Sequence, residues 1–409
     1  MASQSPQEHT SDDGVDNYLL PVETGDQIVI FREETSNAFE LLQGYARTVA
    51  PGLAVATASS DGAGTADAVL DEDLKIAFIS HKGGAAQSLA MANALREVRE
   101  VQEVIPDFCV YPVDVTTTSA ALAKDTQSST WGIKLVGADK SKYTGKGIRI
   151  AVLDTGLDLK HPDFSGRIGK TKSFIDKENV RDGNGHGTHC AGSAAGARAA
   201  GSRPRYGVAP DATVMAGKVL SNAGSGSVRS VVSGIKWAAD NGAHIISMSL
   251  GAKTSVGTKP LPAFERAAGY ALKKGALVIA AAGNDSNRAY GFISPVSMPA
   301  NSPSIMAVAA IDQAGDIANF SNGGINGGGG EVNLTAPGVR VYSSWPMPLG
   351  YRYASGTSMA CPHAAGIAAL WAESDKKLRG KALWRKLETT ARNTALSARD
   401  EGKGIVQAP

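Results

Sequence analysis

Gly356-Thr-Ser-Met-Ala-Cys-Pro-His363, continued by Ala364-Ala-Gly-Ile-Ala-Ala-Leu-Trp371, is the stretch from which the rest of the chain can be read. Its second half is small and apolar throughout, the pattern of a helix buried on all sides. Ser358 then stands at the N-terminus of that helix, beside unpaired backbone N–H groups and the positive end of the helix dipole. That is a place for a nucleophile. A serine hydroxyl is a weak one, so the reading requires a base, an orienting carboxylate and an oxyanion donor elsewhere in the chain.

Upstream, strands alternate with helices. Residues 148–153, 213–220, 245–250 and 276–282 are nearly continuous apolar runs, as expected of parallel strands buried on both faces. Helices are expected over 228–241 and 262–274, stopped by Gly242 and Gly275. The fold class that follows is α/β, a mostly parallel sheet covered by helices on both faces. In such sheets the active-site groups gather at the carboxyl ends of the strands. Asp154 follows the first of these strands directly, and Asn284 follows Ala280-Ala-Ala-Gly283 at the end of another.

A chain of 409 residues is long enough for two domains. Residues 1–25 read as an acidic tail. Residues 26–113 carry strands at 27–31, 74–79 and 101–110, with 53–57 as a fourth. Two helices lie between them, one beginning at Asn37 with Glu40 at capping-box spacing and one over 86–98. This is a small α+β domain. Residues 114–130 shift to Thr, Ser, Ala and Asp and read as a linker, and 131–409 form the large domain.

The net charge is only +2, yet residues 1–127 hold 7 basic and 20 acidic side chains against 34 and 19 in the remainder. An acidic first part and a basic second part favour docking of one on the other. The basic half has no run interleaved with aromatics, so nucleic acid is not an expected partner. No uncharged apolar run approaches the length of a membrane span, and the first ten residues have neither a basic start nor an apolar core of a secretory signal. The expectation is a monomer without membrane attachment, working in the cytoplasm or exported by a signal-independent route. Cys109, Cys190 and Cys361 are too few for a disulfide framework.

Three segments complete the requirement set by Ser358: Val152-Leu-Asp-Thr-Gly156, Asn184-Gly-His-Gly-Thr-His-Cys-Ala-Gly192, and the opening stretch itself. In this order of Asp, His and Ser they resemble the subtilisin-like serine peptidases, the subtilases, and the likeness runs from about Trp131 to a closing segment, 402–408, similar to the family's last strand. The resemblance implies that His186 takes the proton from Ser358, that Asp154 orients His186, and that Asn284 and the Ser358 N–H bind the oxyanion. It also implies substrate contacts. Gly224, Ser225 and Gly226 pair with an extended peptide, while Ser249, Leu250, Gly251, Ala282 and Gly283 wall the pocket for the residue before the scissile bond. Ser297 stands near the floor of that pocket, where the family often has glycine.

The expected function is that of a serine endopeptidase hydrolysing extended polypeptide segments through an acyl-enzyme. The small N-terminal domain resembles the family's inhibitory propeptide, which implies an autoprocessed zymogen cut somewhere between Tyr111 and Thr130. A binding protein whose triad stays permanently covered by the N-terminal domain is the reading from another class. No cofactor is required. Calcium, the ion the resemblance brings in, finds Asn333 where relatives often have an aspartate, and an unusual loop at 194–206, so weak or no calcium dependence is expected.

Simpler readings of the same residues fall short. Asp154-Thr-Gly156 has no second copy to make an aspartic dyad. His186 and His189 have helical i, i+3 spacing but no third metal ligand is evident. Gly327 to Gly330 lacks the Lys-Ser/Thr sequel of a phosphate loop, and the Gly-x-Ser-x-Gly elbow of the α/β-hydrolases is absent. Cys190 and Cys361 are expected to be small buried residues near the site; the sharper idea is that a thiol reagent at Cys190 displaces His186.

Overall fold

A computed structural model describes residues 21–113, 125–126, 128–198 and 203–409. Most of the expected linker, 114–124 and 127, therefore lies outside the described residues, as does the tail up to residue 20.

The N-terminal unit runs β1 (Glu23–Phe31), α1 (Ala38–Thr48), β2 (Val55–Thr57), β3 (Ala68–Asp71), β4 (Ile76–Ile79), α2 (Ala85–Arg96) and β5 (Val101–Pro112). Its strands lie in the order β5-β1-β4-β3-β2, with β1 antiparallel to both neighbours. The run Ile28-Val-Ile-Phe31 is apolar at every position because both faces of the sheet are covered. Val29, Phe31, Ala77 and Ile79 pack under Leu42 of α1 and Met91 and Leu95 of α2. Ile28, Ile30, Ile76 and Phe78, on the opposite face, join a second core shared with the large unit. Three expectations change here. Asn37 occupies the N-cap position of α1, but its side chain makes no capping hydrogen bond. β3 emerges from a Gly/Ala/Asp-rich stretch that hid it, and β5 continues past residue 110.

The large unit begins with α3 (Trp131–Leu135) and β6 (Arg149–Asp154) and continues through β7 (Ile168–Ser173), α4 (His186–Ala195), β8 (Thr213–Lys218), β9 (Gly226–Ser227) and α5 (Val228–Asp240). Next come β10 (Ile245–Met248), β11 (Leu250–Gly251), α6 (Pro262–Lys273), β12 (Leu277–Ala281), β13 (Met306–Ile311), β14 (Leu334–Pro337), β15 (Val341–Ser344) and β16 (Tyr351–Ala354). The chain finishes with α7 (Thr357–Ser374), α8 (Gly380–Thr390) and α9 (Ala398–Glu401). Seven strands form one sheet in the order β14-β13-β12-β10-β6-β8-β7, every pair parallel. α4 and α7 cover one face through residues such as Ala191, Ala194, Ala360 and Ile367, and α5 and α6 cover the other through Val231, Ile235, Phe264 and Ala267. The α/β expectation is met.

The segment 402–408 does not form a strand. Ile405 makes isolated bridges to Thr335 and Arg392, and the positive φ of Gly402 (60°) and Gly404 (111°) interrupts the extended backbone that a longer ladder needs. Among the described residues no helix is long and apolar enough to cross a membrane.

Candidate active site

Asp154 ends β6 and is fully buried. Its Oδ1 accepts hydrogen bonds from Thr155 N (2.7 Å) and His186 Nδ1 (2.7 Å), while Oδ2 has no partner among the described residues. His186 opens α4. Gly185 before it has φ +108°, and a Cβ there would lie 2.2 Å from the Trp345 ring, so only glycine lets the chain enter this helix. Burial opposes the charged imidazolium, but the Asp154 carboxylate outweighs it and raises the His186 pKa well above its ordinary value.

Cys190 and His189 are further buried side chains of α4. Cys190 Sγ lies 3.8 and 3.9 Å from the two His186 nitrogens, and burial pushes its pKa to about 11. Cys361 is pushed to about 12, again by burial, and both thiols are free. The Nε2 of His189 faces the carbonyl oxygens of Val341 and Arg352, and burial together with nearby His186 holds its pKa at about 3. Among the described residues, Asp154, His186 and Cys190 bring potential ligand atoms within 4.8 Å of one another, a set that does not include His189.

Ser358 is the second residue of α7 and is fully buried. Pro362 sits one turn later and has no N–H to donate back to the Ser358 carbonyl. The Ser249 hydroxyl takes that role at 2.8 Å. The Ser358 hydroxyl itself lies against the carbonyl oxygens of Val113 and of Ser249, the latter at 3.1 Å, and makes no hydrogen bond to His186 among the described residues. Asn284 follows β12 after Gly283. Its Oδ1 accepts from the N–H and hydroxyl of Thr357 (2.9 and 2.8 Å), which turns Nδ2 toward Val113 O at 2.9 Å. The peptide N–H of Ser358 makes no hydrogen bond to that oxygen, against expectation; the serine hydroxyl stands there instead.

The cleft is filled by the chain's own β5. Cys109 and Val110 pair antiparallel with Ser227 and Gly226 of β9, and Tyr111 and Pro112 pair antiparallel with Gly251 and Leu250 of β11. Val113 N–H donates to Ser249 O at 3.3 Å. Residues 109–113 thus form an added strand between two edges of the large unit, the arrangement expected of a bound peptide. Of the residues 224–226 only Gly226 belongs to the pairing strand. Gly224 N–H and Ser225 O both bond to the backbone of Ser221, closing a turn beside it. A Cβ on Gly251 would lie 3.5 Å from both Val113 Cγ2 and Ser297 Cβ, so both side chains border Gly251. Ser297 Oγ donates to Asp285 Oδ2 (3.2 Å), Gly283 N–H donates to the Thr357 hydroxyl, and buried Ala282 bonds Ser297 N–H through its carbonyl.

Sequence reasoning missed the residues behind these groups. Asp182, buried four positions before His186, accepts five hydrogen bonds, and Lys218, fully buried at the end of β8, is in register with Asp154. The position of Asp182 before a helix start was the one available signal.

The model of the Subtilase family matches residues 145–405. The chain belongs to the subtilase family. It is 40% identical to subtilisin Savinase of Lederbergia lenta over 289 residues, 69% of this chain and 98% of that protein. An alkaline protease of Alkalihalobacillus alcalophilus is 34% identical over 403 residues, 97% of this chain and 88% of the other, so that likeness includes the N-terminal unit. Thermitase of Thermoactinomyces vulgaris is 42% identical over 233 residues, 57% and 77% of the two chains. As a subtilase this protein is a serine endopeptidase acting on polypeptides, and it needs no organic cofactor.

Proposed function

We propose that this subtilase is made as a zymogen that cuts itself after Val113, and that Asp154, His186, Ser358 and Asn284 perform both that cut and the hydrolysis of other extended polypeptides. The observation that carries the reading is the Val113 carbonyl oxygen, lying against Ser358 Oγ and 2.9 Å from Asn284 Nδ2. For attack, the Ser358 hydroxyl turns from the two carbonyl oxygens toward His186 Nε2, which takes its proton as Oγ adds to the Val113 carbonyl carbon. Asp154 holds the Nδ1–H and stabilises the imidazolium. Asn284 donates to the oxygen as it becomes O⁻. Collapse breaks the bond to the Asp114 nitrogen, which leaves with the proton from His186. A water deprotonated by His186 then hydrolyses the Val113 ester and restores Ser358. Residues 1–113 become a separate inhibitor whose last strand still fills the cleft.

Incubation of the purified full chain, followed by mass spectrometry, should reveal a fragment beginning at Asp114, and a fluorophosphonate should label the wild type and not Ser358→Ala. A chain that stays whole and unlabelled supports the permanently covered binding protein instead, and a cut at another bond overturns the assignment of Val113.

Calcium has little purchase in this reading. The Asn333 Oδ1 accepts from Ala307 N–H (2.7 Å), so the oxygen offered in place of a relative's aspartate is uncharged and already shares its lone pairs with a backbone donor. Adding EGTA should move the melting temperature by no more than a few degrees, and a large fall would contradict it.

A further inference from the structure

We infer that Asp182 and Lys218 are positioning residues: two buried charges of opposite sign grip Thr155 and thereby fix the Asp154 carboxylate against His186. The inference rests on the catalytic roles proposed above. Asp154 is poorly held by its own bonds, because Oδ2 has no partner among the described residues and Oδ1 serves both Thr155 N–H and His186. A buried carboxylate with one bare oxygen takes its orientation from its neighbours. Thr155 is the neighbour with every polar group engaged. Its N–H donates to Asp154, its carbonyl accepts from Lys218 Nζ (2.5 Å), and its hydroxyl donates to Asp182 Oδ1 (2.9 Å) while accepting from Gly187 N–H (2.9 Å). Gly187 is the residue next to His186, so one hydroxyl spans the two segments that carry the acid and the base.

Asp182 completes the clamp from the other side. Besides Thr155 it accepts from Asn184 N (3.0 Å), Gly185 N (2.7 Å), Thr188 N (2.8 Å) and the Thr188 hydroxyl (2.7 Å), all on the segment that leads into and carries His186. A carboxylate at a helix N-terminus is favoured by the dipole, and this one is almost wholly buried, where each charge-assisted bond is strong. Lys218 is fully buried, and its ammonium also donates to Asn222 Oδ1 (2.9 Å) and lies 3.2 Å from Glu178 Oε2. A buried cation is costly unless paired, and one of the three partners of this one is the Thr155 carbonyl in the turn after Asp154.

The test is steady-state kinetics on the processed enzyme, with kcat expressed per active site titrated by a fluorophosphonate, for Asp182→Asn, Lys218→Met, Thr155→Val and Thr155→Ser. An amide at 182 turns an N–H toward groups that are themselves donors. Asp182→Asn and Thr155→Val should lower kcat by about 10- to 100-fold, the scale of a misplacement near 1 Å, with KM within about twofold. Lys218→Met should lower kcat in the same way, and Thr155→Ser, which keeps the hydroxyl, should restore it to within about threefold. The first-order rate of prosegment cleavage in the full chain should fall by the same factors, which covers any variant recovered only in small amounts. Wild-type kcat per titrated site in Asp182→Asn, or a loss confined to the titratable fraction or the melting temperature, overturns the inference. An active Ser358→Ala would overturn the catalytic assignment beneath it.

Discussion

In the proposed mechanism Asn284 serves as oxyanion donor because both halves of its amide are committed: Thr357 fixes the carbonyl side, and the nitrogen is left aimed at the Val113 oxygen. Asn284→Ala should therefore cut kcat by about 100- to 1000-fold with little change in KM, since the lost bond strengthens only as the oxyanion forms. Kinetics per titrated active site check this, and a loss below tenfold would mean that the remaining donors suffice. Asp154, His186, Asn284 and Ser358 were legible in sequence because each stands inside a short run whose glycines and alanines allow close approach. Asp182, Thr155, Thr357 and Lys218 were not. Their partners lie up to 74 positions away in the chain, and a single sequence does not record which buried polar groups meet after folding.

Among the elements, α7 depends on a bond from outside itself. Pro362 removes the N–H that would have satisfied the Ser358 carbonyl, and the Ser249 hydroxyl, at the mouth of β11, replaces it. Among the described residues, Ser249→Ala leaves that carbonyl facing the weak Cys190 thiol at 3.5 Å. The expected cost is about 1–3 kcal/mol, visible as a lower denaturant midpoint with an unchanged slope; an unchanged midpoint would show that the thiol or a water suffices. The central parallel strands were readable as unbroken apolar runs, and the helices from their period and glycine stops. β3 was concealed because Ala68 and Asp71, with low strand propensity, flank only two apolar residues after a Gly/Ala/Asp-rich stretch. The expected final strand failed for the opposite reason: its apolar residues were plain, but two glycines with positive φ stand just before them.

The acidic N-terminal unit and the basic large unit meet as their charges suggest, though ionic contact is the lesser part of it. Lys236 pairs with Asp73 at 2.8 Å, Arg229 lies 3.9 Å from Asp26, and the mostly exposed Lys82 and Asp176 form a pair of reversed sense. An exposed pair such as Lys82–Asp176 contributes about 0–1 kcal/mol, and the apolar face built from Ile28, Ile30, Ile76 and Phe78 supplies the continuous contact between the units. Asp107 of β5 is the exception. It is buried at the N-terminus of α5, where Oδ1 accepts from Val228 N–H at 2.9 Å. Burial, with Asp26 nearby, lifts its pKa from 3.8 to about 6. A carboxyl with a raised pKa in the complex favours the complex fully below its free value and loses that contribution as the pH rises through the bound one. The cut prosegment should inhibit more tightly at pH 5 than at pH 8, by about 10-fold from this group, and Asp107→Asn should flatten the difference. Inhibition constants at the two pH values decide it; tighter inhibition at pH 8, or a slope untouched by the substitution, would refute the assignment to Asp107.

The strand β5 belongs to two sheets at once, the fifth strand of the N-terminal unit and the guest of β9 and β11. While the chain is whole, that guest is present at an effective concentration set by its tether, of millimolar order for short flexible linkers, and no external substrate competes with it. After the proposed cut the same contacts remain but the law governing them changes, from a first-order closure to a second-order encounter. Activity per molecule then rises on simple dilution of the processed mixture, and a 1000-fold dilution that left it unchanged would mean that the two pieces part at once or never.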